Sequence, residues 1–193
     1  MSCDIIGGRT EQCKDAVSGL HAIYLVNYAD VDFPSLNQYG TSENTDQIVA
    51  VQTTTAFSIY KFELKGNNSF EQTINSSREN GTTFFEQTLS VQLKRQDVKS
   101  TKNIKLISYG RPRIICHARG DQFFLLGLDQ GCDVTAGTIS SGSALGDFNG
   151  YSLTFTGMEE LPANFINCTT EEELKLLLQN GAGGTGVCTI VTS

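Results

Sequence analysis

The chain has 193 residues, no tryptophan, 19 glycines and a formal net charge of -7. That length favours one domain, or one domain with an extension, and suffices to bury a real core. Plentiful Gly, Ser and Thr argue for a mainly β architecture over a helical bundle, and no apolar run approaches membrane-spanning length.

Residues 1–18 are polar and weakly periodic and read as an arm. The start of the chain lacks the basic and apolar segments of a secretory signal, so folding in a reducing cytoplasm is expected. Residues 19–28, GLHAIYLVNY, form the first strand candidate, with His21 read as a packed side chain rather than a ligand. Residues 29–46 hold Pro34, Gly40 and many Asn, Ser and Asp, the composition of a long projecting loop. Strand signals resume at 47–55 and 57–64. In the second, apolar parity switches from Phe57 and Ile59 to Tyr60, Phe62 and Leu64, which requires a bulge or cover on both faces. Turn residues 65–68 join it to 69–74 as a hairpin. After a second turn at 79–81, residues 83–94 set Leu89, Val91 and Leu93 against Thr88, Ser90, Gln92 and Lys94, the pattern of a half-buried strand.

Arg95, Lys99 and Lys102 recur at helical spacing and predict a short helix over 96–106 with a basic stripe. Arg111-Pro112-Arg113 ends any helix before Ile114, Ile115 and Cys116 start another strand. Residues 123–128 are a short apolar run suited to a strand buried on both faces. Residues 134–140 and 151–156 then read as a hairpin, with Tyr151, Leu153 and Phe155 on one face and Ser152, Thr154 and Thr156 on the other. Their connection, 141–150, holds too few large apolar groups to pack and belongs on the surface or against a neighbouring molecule. Residues 161–165 leave the sheet. Over 167–180 a helix is predicted, with Thr170 and Glu173 as a capping box, Leu174, Leu177 and Leu178 as one stripe, and Gly181 to close it. Residues 187–192 form a last strand, tethered by a Gly-rich linker, that pairs within its own sheet or adds to a neighbour's edge.

Charge is segregated. Lys94, Arg95, Lys99, Lys102, Lys105, Arg111, Arg113 and Arg119 face only Asp97 across 94–119, whereas 121–174 has no Lys or Arg and many acids. Such segregation speaks to association rather than to fold. Catalytic and metal-binding patterns are missing from the sequence, so no catalytic, cofactor or metal residue is expected. Cys116 and His117 are neighbours and face opposite sides of a strand, and Glu159-Glu160 reads as a solvated strand end. Cys3, Cys13, Cys116, Cys132, Cys168 and Cys188 form no zinc spacing and read as free thiols, mostly buried. The Asn-x-Ser/Thr sites at Asn67, Asn75, Asn80 and Asn167 are what chance gives in so Asn- and Thr-rich a chain.

Across residues 80–165, the segments GTTFFEQTLSVQLKRQD, YGRPRIIC and LLGLDQGCDVTAGTISSGSALGDFNGYSLTFTGMEELPANF resemble the tail tube or tail ring proteins of tailed bacteriophages, most closely those of the crAss-like group. The resemblance implies a β-sandwich or barrel with a flanking helix; the chain itself divides into the arm 1–18, a tail-tube-like β domain over 19–166, and a helix and tail strand over 167–193. The resemblance also implies a homo-oligomeric ring, a hexamer or a multiple of one, stacked on neighbouring tail or connector proteins. The same resemblance implies that DNA would pass through the lumen without specific binding, with no cofactor or membrane anchor, and that the subunit would belong to the virion tail, and to the host cytoplasm during assembly. The segregated charges, Arg111 and Arg113 among them, offer surfaces for a heterologous ring interface. The competing class is a virion-surface or cell-surface β-sandwich that binds glycan or protein, although Phe33, Tyr39 and Phe148 are scattered in sequence. Two further classes are a nucleic-acid binder using 94–119 and a hydrolase built on the abundant carboxylates.

Overall fold

The computed structural model describes residues 7–11, 14, 17–41, 46–179 and 185–192. In chain order its elements are β1 (Leu20–Val26), α1 (Phe33–Leu36), β2 (Asn37–Tyr39), β3 (Gln47–Val51), β4 (Phe57–Glu63), β5 (Ser69–Ser77) and β6 (Thr82–Lys94). There follow α2 (Val98–Tyr109), β7 (Arg113–Ala118), β8 (Phe123–Leu126), β9 (Asp133–Ser140), β10 (Gly150–Glu159), β11 (Asn164–Ile166), α3 (Glu171–Gln179) and β12 (Cys188–Val191). The protein is mainly β, a sandwich of two open sheets rather than a closed barrel.

The large sheet has eight strands in the order β12-β4-β1-β7-β8-β11-β3-β2, and its central strands are apolar on both sides. On β1, Ala22, Tyr24 and Val26 enter one core while Leu20, Ile23 and Leu25 enter the other. Ile115 and Ile114 divide likewise on β7, as do Phe123 and Leu126 on β8. A fully buried side chain of this size contributes about 1.5–3 kcal/mol, so strands read as continuous apolar runs are stable only between two covering layers. The parity change on β4 has the same cause. Phe57 and Ile59 belong to the first core and Leu64 to the second, while pairing with β1 runs without a register shift.

One covering layer is α3. Glu173 N donates to Thr170 Oγ1 at 3.2 Å, and the Thr169 and Thr170 amides donate back to Glu173 Oε2 at 2.8 and 3.3 Å, the reciprocal arrangement of a capping box. Leu174, Leu177 and Leu178 face the first core. Gly181, expected to close this helix, lies outside the described residues, as do Cys3, Cys13 and residues 42–45. The opposite layer is the small sheet, β5-β6-β10-β9, together with α2.

Three expectations are corrected, and a fourth is decided between its two alternatives. Residues 29–46 are not all loop: Pro34 sits in the first turn of α1, where its missing N–H costs nothing, and Phe33 is buried. Residues 161–165 leave the small sheet only to join the large one, because Asn164–Ile166 bridges β8 and β3. His21 is exposed, its ring edge-on to His117 at 5.2 Å. The tail strand β12 pairs parallel to β4 of the same chain, with Cys188 buried in the first core.

Candidate functional surface

The small sheet carries the alternation read from the sequence. Leu89 and Val91 on β6 and Tyr151, Leu153 and Phe155 on β10 point inward and are buried. Register then aligns the other parity on the outer face: Ser152 opposite Gln92, Thr154 opposite Ser90, and Thr156 opposite Thr88. Flanking strands continue it, with Thr138 opposite Ser152 and Glu71 opposite Thr88. Thr135 and Thr156 share a hydroxyl–hydroxyl bond of 2.9 Å. Lys94, at the end of β6, is the single cation on these four strands.

Among the described residues both edges of this sheet are unpaired. β5 and β9 each have a partner on one side only, and both are largely exposed along their length. Every neighbouring pair is antiparallel, so β5 and β9 run in opposite directions.

The loop 141–149 between β9 and β10 has an ordered core. Asp147 Oδ2 accepts from the Ala144 and Ser143 amides at 2.7 and 2.9 Å and from Ser143 Oγ at 2.9 Å, and these bonds hold its carboxyl below the usual carboxylate range. This turn presents Leu145 fully to solvent. The loop ends at Gly150, where a Cβ would lie 2.1 Å from the Leu93 carbonyl oxygen, so only glycine fits.

The basic segment divides into two environments. Asp97 caps α2 by accepting the Lys99 and Ser100 amides at 2.6 and 3.1 Å, Ile104 faces the core, and Lys99, Lys102 and Lys105 are exposed. Arg111 is exposed too. Arg113 was expected at an interface and is instead buried: Nε donates to the Leu128 carbonyl at 2.9 Å and Nη1 to the carbonyls of Tyr28 and Val31. Glu159 is likewise not a solvated strand end. It continues the inward parity of β10 and accepts the Asp129 and Gln130 amides at 3.1 and 2.9 Å, while burial pushes its carboxyl pKa up. Glu160 is exposed.

Among the described residues the four cysteines are buried. Cys116 faces the second core, where burial raises its pKa well above the ordinary value, and burial takes Cys132 to about 12. His117 lies on the opposite side, stacked on Phe123 at 4.1 Å, and burial with His21 beside it lowers its pKa. Among the described residues, no three His, Cys, Asp or Glu side chains form a metal cluster. A groove of about 520 Å³ between α2 and β1–β4 is lined by Tyr60, Phe62, Leu106 and Arg111 and holds no acid.

No protein-family model, curated protein or solved structure matches this chain. What the sequence did not reveal is the pair of free edges. Edge status depends on nonlocal pairing, which no single strand's composition records.

Proposed function

We propose that the protein is a virion structural subunit that closes into a ring or tube segment of a phage tail and serves as a conduit for DNA. The observation that carries this reading is the small sheet: four antiparallel strands, two free edges running in opposite directions, and an outer face with hydroxyls at its centre, Glu71, Glu86, Phe84 and Met158 toward its margins, and one peripheral cation. Copies related by rotation about an axis set β9 of one against β5 of the next in antiparallel register, which continues the ladder without reversing any subunit. A closed sheet removes the edges that would otherwise template aggregation.

Strand number supports a large ring. Two copies would give a barrel of about eight strands, whose interior side chains fill, whereas six would give about 24, beyond the 16–18 that already leave a water-filled channel. In such a ring the hydroxyl face lines the lumen. Thr88, Ser90, Ser152, Thr154 and Thr156 bring no positive charge to the phosphates, so DNA gains no counterion-release affinity and slides. Assembly would take place in the host cytoplasm, and the ring would stack on other tail or connector proteins of the virion.

Negative-stain images of the purified protein, with light-scattering mass, test this reading. Rings with a central hole and a mass of six subunits are expected; a monodisperse monomer at every concentration overturns it.

A further inference from the structure

Between α2 and the strands β1 and β4 lies an open groove of about 520 Å³, within the ~300–1,000 Å³ of small-ligand sites. Buried Leu25 and half-buried Phe62 and Ile107 line it, and all three also pack in the second core. Tyr60 and Leu106 line it too and stay open to solvent, 38% and 59% exposed. Apolar surface left wet in this way gains free energy when an apolar body covers it.

The groove carries one charge. Arg111 is the single Lys or Arg in the lining, and no acid joins it there. Its guanidinium carbon lies 4.1 Å from the centroid of the Tyr28 ring. Tyr28 is itself held, by Arg113 at 4.2 Å from the same ring and by its own hydroxyl on the Asp129 carbonyl at 2.8 Å. Arg111 nevertheless forms no ion pair and no side-chain hydrogen bond among the described residues. Its five donors are positioned and unspent. Asp30, the acid closest in sequence to the lining residues Asn27 and Tyr28, accepts from Asn27 Nδ2 at 2.9 Å instead. The helix that forms one wall adds Lys99, Lys102 and Lys105 and no acid. A missing anion is what this arrangement calls for.

The lining also discriminates against a polypeptide. Neither β1 nor β4 is an edge strand, so the groove has no ladder for a peptide backbone to join. Asn27 and Asn103 are its only side-chain amides, and Asn27 is already bonded to Asp30. A peptide laid here would leave backbone N–H and C=O groups unpaired against Phe62, Leu106 and Ile107, whereas a hydrocarbon chain has none to pair.

We infer that this groove binds a small amphipathic carboxylate of the fatty-acid class, with its chain along Phe62, Leu106 and Ile107 and its head on Arg111. A planar guanidinium takes a carboxylate through two parallel bonds, which fixes the head while the chain is held by burial alone. The groove lies within one chain, so this site does not depend on ring closure.

Titration calorimetry of the full-length protein with decanoate, kept below its micelle threshold, is the test. Saturable binding of one decanoate per chain is expected. Octanoate should bind about tenfold more weakly, because two fewer methylenes are buried. Arg111→Gln should weaken decanoate binding about tenfold and leave decanol unchanged. Leu106→Glu sets a carboxylate at the exposed rim and should weaken decanoate similarly; circular dichroism establishes that both variants are folded. Decyltrimethylammonium, the same chain with a cationic head, should bind at least about tenfold more weakly than decanoate. Absence of saturable decanoate binding, native affinity in Arg111→Gln, or equal affinity for the ammonium overturns the inference. So does a groove that takes an acidic, leucine-rich peptide in preference to decanoate, which would mark it as a protein-docking surface.

Discussion

Arg113 holds its guanidinium carbon 4.2 Å from the centroid of the Tyr28 ring, and Arg111 lies 4.1 Å from the same ring. The two arginines nevertheless have different work. Arg113 bonds three backbone carbonyls from two loops, and Tyr28 completes the tie with its own hydroxyl on the Asp129 carbonyl at 2.8 Å. Arg113→Ala leaves those carbonyls without their donor and is expected to cost about 3–5 kcal/mol. Arg111→Ala should cost less than about 1 kcal/mol, the value of a partly exposed cation–π contact. Urea midpoints of the two variants decide it; equal losses would mean that the buried bonds do not stabilise the fold.

Glu159 makes stability depend on pH in the less familiar direction. Its folded pKa lies above the ordinary value of 4.5, because burial outweighs the two amide donors and Arg113. The folded state thus binds this proton more tightly than the unfolded chain does. The contribution is fully present below pH 4.5 and is lost as pH rises through the folded value. Relative to Glu159→Gln, which stays neutral throughout, the native protein should lose ground as pH rises above 4.5. A pH-independent difference in urea midpoint would contradict the burial argument.

Glu159 also marks what could be read from the chain. It continues the inward series Tyr151, Leu153, Phe155 and Gly157 at a spacing of two, so its burial was legible in the strand's parity, and reading it with Glu160 as a solvated pair obscured that. The alternation on β6 and the leucine stripe of α3 were equally legible, because local periodicity reports which face meets a core. β11 was not: three residues are too few to show a period. The parallel seat of β12 on β4 was not either, since residues 57–60 and 188–191 are brought together only by the finished fold. Arg113 was misplaced because its charge suggested solvent, whereas its guanidinium is buried against the carbonyls of Tyr28, Val31 and Leu128. The free edges of the small sheet follow from the order of strands, which no single strand records.

Removal of residues 187–193 tests whether β12 belongs to its own subunit. Cys188 is buried in the first core, Ile190 packs against that core, and Gln179 Nε2 donates to the Cys188 carbonyl at 2.9 Å. Truncation uncovers one edge of β4 and the flank of α3, for an expected loss of at least about 2 kcal/mol in subunit stability. A strand meant only for a neighbour's edge would instead leave the subunit as stable as before while assembly fails. Thermal melts of the truncated chain, set beside light scattering, separate these outcomes.

The conduit reading makes a quantitative demand on the outer face of the small sheet. Thr88, Ser90 and Thr154 sit at its centre, and in a ring they would point into the lumen. The native assembly should bind duplex DNA weakly and with a shallow dependence on salt, because hydroxyls release no counterions. Replacing all three by lysine places the cations within reach of a threaded backbone. Affinity should then rise, with the slope of log affinity against log salt steepening by about 0.9 for each phosphate contacted. Substitution on a half-exposed strand face with the apolar parity untouched should preserve the fold, which circular dichroism checks. A native protein that already binds DNA with a steep salt slope would point to Lys99, Lys102 and Lys105 as a nucleic-acid surface in place of a conduit. Lysine variants that assemble and gain nothing would place the hydroxyl face somewhere DNA does not go.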